Sequence, residues 1–451
     1  MSNKLSRRDF LKLSVMASGA AALAACAPNV VTGTSAPGVV GTKKLVFSSY
    51  TWGGYEDAIN KVIDSWLATQ PAGSVEVERQ YADQSAYWEK VQTQVAAGTP
   101  PDCGMADFGR LLSYAKNGTL LNITDMVKNA SDLSLDKMMP GALAQYRWKE
   151  GDFDTGASDG DYYGLPADAQ AQVFAYNKKM FDAASVAYPT DDWTWDDLRA
   201  AAIKLTDPAK EQFGFFMDIN EGPLQRQYWL KSAGASLFSA DYKKSAISSP
   251  ETTEAFTWLW NLIWKDKAAM GPIQNMANTP FMDRKVAMTV AGIWWATEFN
   301  KGLDADEWDA ALLPKHPKTG KRTMTLESDG FWVFKGAKEP ELAFNLVKYF
   351  AGSAAQQMFM DAGYVIPSDI PDIANPWYAQ KPDGLVKVLE NLNTDSAKNG
   401  YTNFESATIN SVVAPIILTA FADGSDIAQA LKDADAAMNG ELATAWELFA
   451  Q

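Results

Sequence analysis

Residues 44–67 read KLVFSSYTWGGYEDAINKVIDSWL and carry the pattern that decides the fold of this 451-residue chain. The short apolar run at residues 44–48 predicts a strand. Apolar side chains then recur with the helical period through residues 58–67, which predicts a helix with one buried face. A turn that contains Trp52 and two glycines joins the two elements. A strand followed closely by an amphipathic helix is the first unit of an α/β fold.

The same alternation continues along the next fifty residues. Residues 74–81 alternate between apolar and polar side chains, as a strand with one buried face does. A second helical stripe spans residues 88–95 and stops at Gly98. A buried strand at residues 103–106 and a third helix at residues 108–116 follow. This order predicts a mostly parallel sheet with crossover helices.

A second series of elements predicts another α/β half of similar size. Residues 173–176 and 286–290 are apolar and strand-like. A capping box that begins at Thr194 predicts the start of one helix, and Pro250 occupies the first position of another. The natural partition is therefore two α/β halves.

The first 26 residues predict export. Residues 6–12 (SRRDFLK) resemble a twin-arginine signal, and residues 23–26 (LAAC) resemble a lipobox in which Cys26 is lipidated and becomes the mature N-terminus. The apolar run at residues 13–25 is shorter than the roughly 20 residues of a membrane span, which favours a cleaved signal over a transmembrane helix. Ordinary cleavage at residues 25–27 (ACA) remains an alternative. After the signal peptide at 1–25, we expect residues 26–42 to form a lipid-anchored flexible spacer.

Composition excludes several classes of function. The net charge of −15 argues against nucleic acid, which needs a basic face. If Cys26 is lipidated, Cys103 stands alone, and we expect it to be a buried core thiol. The one histidine, His316, cannot supply a multi-histidine zinc site, and the acidic run at residues 152–161 lacks the spacing of a calcium loop. We therefore expect no metal, no cofactor and no catalytic residue.

Six sequence blocks, taken in order, resemble the extracellular solute-binding proteins of ABC importers, in the family that includes maltose- and other sugar-binding proteins. The blocks are AAGTPPD at 96–102, GTLLNITD at 118–125, YGLP at 163–166 with AYNKKMF at 175–181, TWDDL at 194–198, KVAM at 285–288 with GIW at 292–294, and AFNLVKYF at 343–350. The first block has an extra proline, and Val347 stands where the family usually has Phe. Together the blocks extend over most of the chain.

The resemblance implies an α/β fold of two lobes, periplasmic-binding-protein-like and of type II, with a hinge and a ligand cleft between the lobes. Each lobe is expected to hold a mostly parallel sheet with flanking helices. Lobe one is expected at residues 43–166 and 328–350, and lobe two at residues 167–327 and 351–451. The implied function is capture of a carbohydrate and its delivery to ABC permease subunits. Such a protein works as a monomer on the extracytoplasmic face, held to the membrane by its N-terminal lipid.

Aromatic rings that cover the C–H face of a sugar, and polar groups that pair with its hydroxyls, are the residues such a cleft needs. The candidate ligand-binding residues are Tyr50, Trp52, Asp83, Asp107, Gln170, Glu221, Trp294, Trp295 and Tyr401. Trp294 takes the family's ligand-contacting G-x-W position, and we expect at least one of Trp294 and Trp295 to face the cleft. Asp107 is also a candidate helix cap, and the two roles compete.

Two other interpretations remain open. The same binding role fits a polyol, a glycerol phosphoester or a polyamine. An exported glycosidase would need a placed pair of carboxylates, and the many acidic residues leave that possibility open. The chain has no P-loop, G-x-G-x-x-G or G-x-S-x-G motif to support an enzyme.

Overall fold

A computed structural model describes most of the chain beyond its N-terminal region. The described residues are 41–51, 55–152, 159–219, 223–224, 227–272, 279–304, 306–362, 382–392 and 409–449. The chain divides into two units, Met1–Thr42 and Lys43–Gln451, and the strands and helices named here lie in the second. No helix in the described ranges is long and apolar enough to cross a membrane.

The strands of the described residues belong to two main sheets and one small ribbon. In chain order they are β1 Lys43–Tyr50, β2 Val75–Ala82, β3 Cys103–Asp107, β4 Arg147–Trp148, β5 Asp161–Tyr162, β6 Gly164–Pro166, β7 Gln172–Asn177, β8 Phe213–Met217, β9 Val286–Gly292, β10 Trp308–Ala311 and β11 Asp329–Val333. The first sheet has the order β2-β1-β3-β11-β6, and the second has the order β10-β7-β9-β8. The ribbon pairs β4 with β5.

Helices cover both halves of the described chain. They are α1 Tyr55–Leu67, α2 Gln84–Ala96, α3 Phe108–Lys116, α4 Thr124–Asn129, α5 Pro140–Ala144, α6 Lys178–Ala183, α7 Trp195–Leu205, α8 Tyr228–Ser232, α9 Pro250–Trp264, α10 Thr279–Met282, α11 Ala296–Gly302, α12 Pro340–Phe350, α13 Ser353–Asp361, α14 Gly384–Leu392, α15 Ala414–Asp423 and α16 Ile427–Phe449. The strand and helix predicted from residues 44–67 are confirmed as β1 and α1.

The α/β class is confirmed, and both sheets are mixed: in each of them one strand, β11 or β7, runs opposite to the others. In the first sheet β1 runs parallel to β2 and β3, whereas β11 is antiparallel to β3 and β6. In the second sheet only β8 and β9 form a parallel pair. The cause is the chain path, because β11 enters the first sheet after the chain has visited the second. It begins at the edge where β3 ends and therefore runs the opposite way.

Two separate hydrophobic cores accompany the two sheets. In the first, Phe331 of β11 stacks on Phe350 of α12 with ring centroids 3.9 Å apart. In the second, the Trp195 and Trp229 rings are stacked, with centroids 3.8 Å apart and ring planes within 5° of parallel. The buried His316 packs edge-on against Trp195 at 4.5 Å. Each half of the chain thus has its own core.

Two further positions bear on the sequence-based expectations. Cys103 is a free thiol buried in β3, and burial raises its pKa well above the usual value, so the expected core thiol is confirmed. Helix α13 lies beyond the expected lobe boundary at residue 350, yet Ala355 and Phe359 pack in the first core. They do so because the chain runs on from α12 to α13, where Phe359 stacks on Tyr55 of α1.

Candidate functional site

One edge of the first sheet collects several of the candidate polar residues. Strand β1 ends at Tyr50 and β3 ends at Asp107, while β11 begins at this edge with Asp329. The register places Asp107 opposite Asp329, and Gly330 opposite Pro166, where β6 ends. This edge therefore carries the ends of several strands, which is where α/β proteins bind ligands.

One edge of the second sheet carries the tryptophan candidates. Strand β7 begins at Gln172, which pairs with Gly292 at the end of β9. The backbone N–H of Ile293 donates to the Ala171 carbonyl at 2.8 Å. A single 3-10 turn, Ile293–Trp295, then presents the two indoles directly after this edge.

Two crossing segments join these edges. Residues 167–171 lead from β6 to β7, and residues 325–328 lead back into β11. They pair with each other, because the Gln170 N–H donates to the Glu327 carbonyl at 2.7 Å and the Glu327 N–H donates to the Gln170 carbonyl at 2.9 Å. We call this crossing pair the hinge, and a candidate edge lies at each of its ends.

A side-chain network occupies the start of the hinge. The Gln170 amide Nε2 donates to Asp168 Oδ2 at 2.8 Å and to Asp329 Oδ2 at 3.0 Å. The Asp329 backbone N–H donates to Asp168 Oδ1 at 2.6 Å. The Tyr50 hydroxyl donates to Asp329 Oδ1 at 3.0 Å. Gln170 and Tyr50, both predicted from the sequence, thus meet at one carboxylate that the sequence did not single out.

Burial and mutual repulsion favour the protonated forms of the acidic groups in this network. Burial, and then the charge of Asp107, raise the pKa of Asp329 to about 7. Burial, and then the charge of Asp329, raise the pKa of Asp168 well above its usual range. Burial also raises the pKa of Tyr50, which therefore remains a hydrogen-bond donor. The site thus contains carboxyl groups whose pKa values lie above those of exposed acids.

Asp107 caps helix α3, which is one of the two roles predicted for it. Its Oδ1 accepts a hydrogen bond from the Gly109 N–H at 2.7 Å at the start of α3. Its Oδ2 lies 3.7 Å from Arg110 Nε, and the side chain remains 25% exposed. The Arg110 guanidinium in turn lies 4.5 Å from the centre of the Trp88 ring. The Asp107 carboxylate therefore caps a helix and still reaches solvent.

Asp83 occupies the equivalent position after β2. It is exposed and precedes α2, but its side chain makes no capping hydrogen bond. It lies at the same edge as Tyr50, because Tyr50 and Ala82 are register partners. Asp83 is therefore an exposed carboxylate at this edge whose side chain makes no capping bond.

Both tryptophans of the 3-10 turn are partly exposed and pack against the second core. A Cβ placed on Gly292 would lie 2.1 Å from the Trp294 ring, so the indole covers the backbone of that glycine. Trp295 stacks on Phe299 with centroids 6.2 Å apart. Each indole therefore has one face fixed by the protein.

The remaining candidates, Trp52, Glu221, Tyr401 and the lipidation residue Cys26, lie outside the described residues. The residues that sequence reasoning missed are Asp168 and Asp329. The available signals were modest. Asp168 lies two residues before Gln170, and Asp329 precedes a glycine at the start of an apolar strand.

Comparison with known proteins places this architecture in a class of two-lobed α/β binding proteins. Residues 67–385 match the model of the bacterial extracellular solute-binding proteins, and the chain belongs to that family. An ABC substrate-binding protein from Listeria monocytogenes, solved in complex with cycloalternan, superposes with a TM-score of 0.77 at 24% identity. That superposition covers 89% of this chain and 99% of the other, and it confirms the two-lobed fold.

Two curated relatives are also similar in sequence. The maltotriose-binding protein of Pyrococcus abyssi is 26% identical over 300 residues, covering 63% of this chain and 59% of the relative. The arabinooligosaccharide-binding protein of Halalkalibacterium halodurans is 22% identical over 367 residues, covering 78% of both chains. The family supports an extracytoplasmic role in solute binding.

Proposed function

We propose that this protein is the carbohydrate-binding component of an ABC importer. The observation that carries the proposal is the pairing of two unlike edges across one hinge. The first edge supplies carboxylates and the Gln170 amide, and the second supplies the indoles of Trp294 and Trp295. Similar proteins named for maltotriose and arabinooligosaccharide binding support a carbohydrate as the solute.

The chemistry of the two edges suits a sugar. A pyranose has an apolar C–H face, which an indole covers, and a rim of hydroxyls that need partners once water is removed. A hydroxyl left without a partner costs about 1–3 kcal/mol, so the pairing supplies specificity. Asp83 and Asp107 retain exposed carboxylate surface for that purpose. Closure of the two lobes about the hinge would then bury the solute and create the form that a permease recognises.

The proposal includes how the protein is held in place. Lipidation at Cys26 after twin-arginine export would tether the protein to the membrane, with residues 26–42 as a spacer. Lys43–Gln451 forms a compact unit of its own, as a tethered monomeric binder requires. In this proposal the chain passes from one lobe to the other near residues 166, 328 and 360. The protein delivers its solute unchanged, without catalysis.

A polyamine is the second candidate solute, and the acidity of the hinge favours it. The charges of Asp107 and Glu327 raise the pKa of Asp329, and those of Asp329 and Glu327 raise the pKa of Asp168, whereas the cation Arg110 lies beside Asp107. Carboxylates beside aromatic rings suit an organic cation. The same acidity disfavours a glycerol phosphoester, which would meet repulsion at this edge.

A thermal-shift screen of the chain from Lys43 onward against maltotriose, arabinotriose, sorbitol, glycerol 3-phosphate and spermidine tests the proposal. A solute present at 100 times its Kd should stabilise the protein by about 2.7 kcal/mol. Stabilisation by an oligosaccharide that Trp294→Ala weakens would support it, and stabilisation by spermidine alone would replace it with the second candidate. Recovery of the sugar unchanged after prolonged incubation separates a binder from a glycosidase.

A further inference from the structure

The hinge contains two carboxyl groups bound by a single amide. Asp168 and Asp329 are 161 positions apart in the chain, yet Gln170 Nε2 donates to both, at 2.8 and 3.0 Å. The Asp329 N–H adds a direct bond of 2.6 Å to Asp168. The pair is therefore held together by three hydrogen bonds.

The surroundings of the pair are acidic and largely shielded from water. Asp168 has no exposed surface. The ionisable groups that face the pair are Glu327, Asp107, Tyr50, Tyr55 and Tyr146. Among the described residues the pair has no cationic hydrogen-bond partner, and Arg110 contacts Asp107 instead. Two carboxylates joined through one amide, with no cationic hydrogen-bond partner among the described residues, cannot both be ionised at little expense in free energy, so the pair favours a bound proton.

The pair belongs to both crossing segments of the hinge. Asp168 follows β6 on the outgoing segment, and Asp329 begins β11 at the end of the returning one. The Ser328 hydroxyl donates to the Asp168 carbonyl at 2.7 Å, and the Tyr146 hydroxyl donates to the Ser328 carbonyl at 2.6 Å. A change in charge on the pair therefore acts on the two segments that connect the lobes.

Asp329 differs from Asp168 in its access to the candidate cleft. It is partly exposed, it lies opposite Asp107 at the strand edge, and it accepts from Tyr50. We propose that Asp329 is a specificity-determining residue of the cleft that takes up a proton when the cleft closes over an uncharged solute, while Asp168 behind it keeps its own proton. This inference rests on the proposed function, because it requires an uncharged solute.

The sign of the linkage follows from burial. Closure over a sugar removes water from Asp329 and adds no cation, which favours the protonated form. Because burial and the Asp107 charge hold the pKa of Asp329 at about 7 in this structure, further loss of water on closure should add a proton to part of its population. Affinity should therefore fall by about threefold to tenfold as the pH rises from 6 to 8, since one unit of change in pKa corresponds to a tenfold change in binding.

The first arm of the test uses the protein without any solute. Aspartate labelled with ¹³C at Cγ allows NMR titration of each carboxyl in the wild type, Asp329→Asn, Asp168→Asn and the exposed control Asp125→Asn. We expect one carboxyl to titrate near pH 7 and disappear in Asp329→Asn, and a second to titrate well above the usual aspartate range and disappear in Asp168→Asn. The control should retain both. Titration of every aspartate below pH 5 would overturn the inference.

The second arm measures binding of maltotriose, or of the sugar that the screen identifies, by calorimetry at pH 7 in two buffers with different heats of ionisation. Uptake of a fraction of a proton by the wild type and by Asp125→Asn, but not by Asp329→Asn, would support the linkage. Proton release or no proton exchange would overturn it. If no sugar binds, the proposed function fails, while the NMR arm still decides whether the pair holds its protons. Circular dichroism confirms that each variant folds.

Discussion

Asp107 and Asp329 lie directly opposite each other in the antiparallel ladder between β3 and β11. After burial, the Asp107 charge is the largest cause that raises the pKa of Asp329. The same Asp107 carboxylate caps helix α3 through the Gly109 N–H. One side chain therefore has two roles, which substitutions can separate because Asn caps helices as well as Asp does.

Asp107→Asn should keep the cap but lower the pKa of Asp329, because it removes the negative charge opposite that residue. Asp107→Ala should lower the pKa in the same way and also destabilise the protein by about 1 kcal/mol through loss of the cap. NMR titration of labelled aspartate and urea denaturation measure the two effects. Equal stability of the two variants would show that the cap contributes nothing.

Asp329→Asn should change how stability depends on pH. The folded pKa of about 7 lies above the ordinary value, so the folded state binds more protons than the unfolded chain between about pH 4 and 7. The stability contributed by protonated Asp329 is therefore complete below pH 4 and is lost as the pH rises through 7. In denaturation series from pH 5 to 8, protonated Asp329 should make the wild type lose stability with rising pH, by up to about 1.4 kcal/mol per pH unit. Asp329→Asn should lack this contribution to the slope. An unchanged slope would contradict the assignment.

Trp294→Ala should weaken sugar binding by about tenfold, since a stacked aromatic ring contributes on the order of 1 kcal/mol beyond the area it buries. Trp295→Ala identifies which indole contacts the solute, because only the residue facing the cleft should affect affinity strongly. Trp264→Ala is a matched control, since Trp264 lies on the surface at the end of α9 and is 38% exposed. Calorimetry with the sugar from the screen measures all three. Full affinity in both cleft variants would exclude these indoles from the site.

Gly292→Ala should mimic Trp294→Ala without removing the ring. An added methyl group would lie 2.1 Å from the Trp294 indole, so the ring must move away from its position at the end of β9. We expect weaker sugar binding and a changed near-ultraviolet spectrum. Gly440→Ala is the control, since nothing lies within 4 Å of its Cβ position, and it should stabilise α16 by up to about 1 kcal/mol. Wild-type affinity in Gly292→Ala would show that the position of Trp294 is unimportant.

Glu307 should show the opposite behaviour with pH from Asp329. Burial alone would raise its pKa, but Arg284 and Asn177 outweigh burial and lower the pKa to about 2. The stability that this ion pair contributes is present above about pH 4.5 and is lost as the pH falls toward 2.

Arg284→Gln should therefore destabilise the protein at pH 7 by about 2 kcal/mol, less than the 3–5 kcal/mol of a fully buried pair because Arg284 is partly exposed. The loss should shrink below pH 4. Lys210→Gln, in the exposed pair with Asp207, should change stability by less than about 0.5 kcal/mol. Urea denaturation at pH 7 and pH 3 compares them, and equal effects of the two variants would refute the importance of burial.

Local patterns in the sequence were enough to predict much of the fold. The stripe at residues 58–67 predicted α1, and the capping box is present, with the Thr194 N–H donating to Asp197 Oδ2 at 2.8 Å. These features depend on neighbours within one or two helical turns. The mixed sheets were not predicted, because the direction of β11 depends on pairing with β3 more than two hundred residues away.

The candidate site divides in the same way. The strand-end positions of Tyr50 and Asp107 follow from local periodicity, and so does the position of Trp294 after β9. The contact between Asp168 and Asp329 does not, since neither segment carries a distinctive motif. Only the pairing of the two crossing segments brings these carboxyl groups together.

The parallel rings of Trp195 and Trp229 have a consequence for spectroscopy. Two indoles stacked 3.8 Å apart in nearly parallel planes are close enough for their electronic transitions to couple. Such a dimer gives a paired positive and negative band in circular dichroism that isolated tryptophans do not give. Because both rings are fully buried in the second core, the band would report on the integrity of that core during unfolding. It gives the protein an intrinsic optical probe of one half of the chain, without any label.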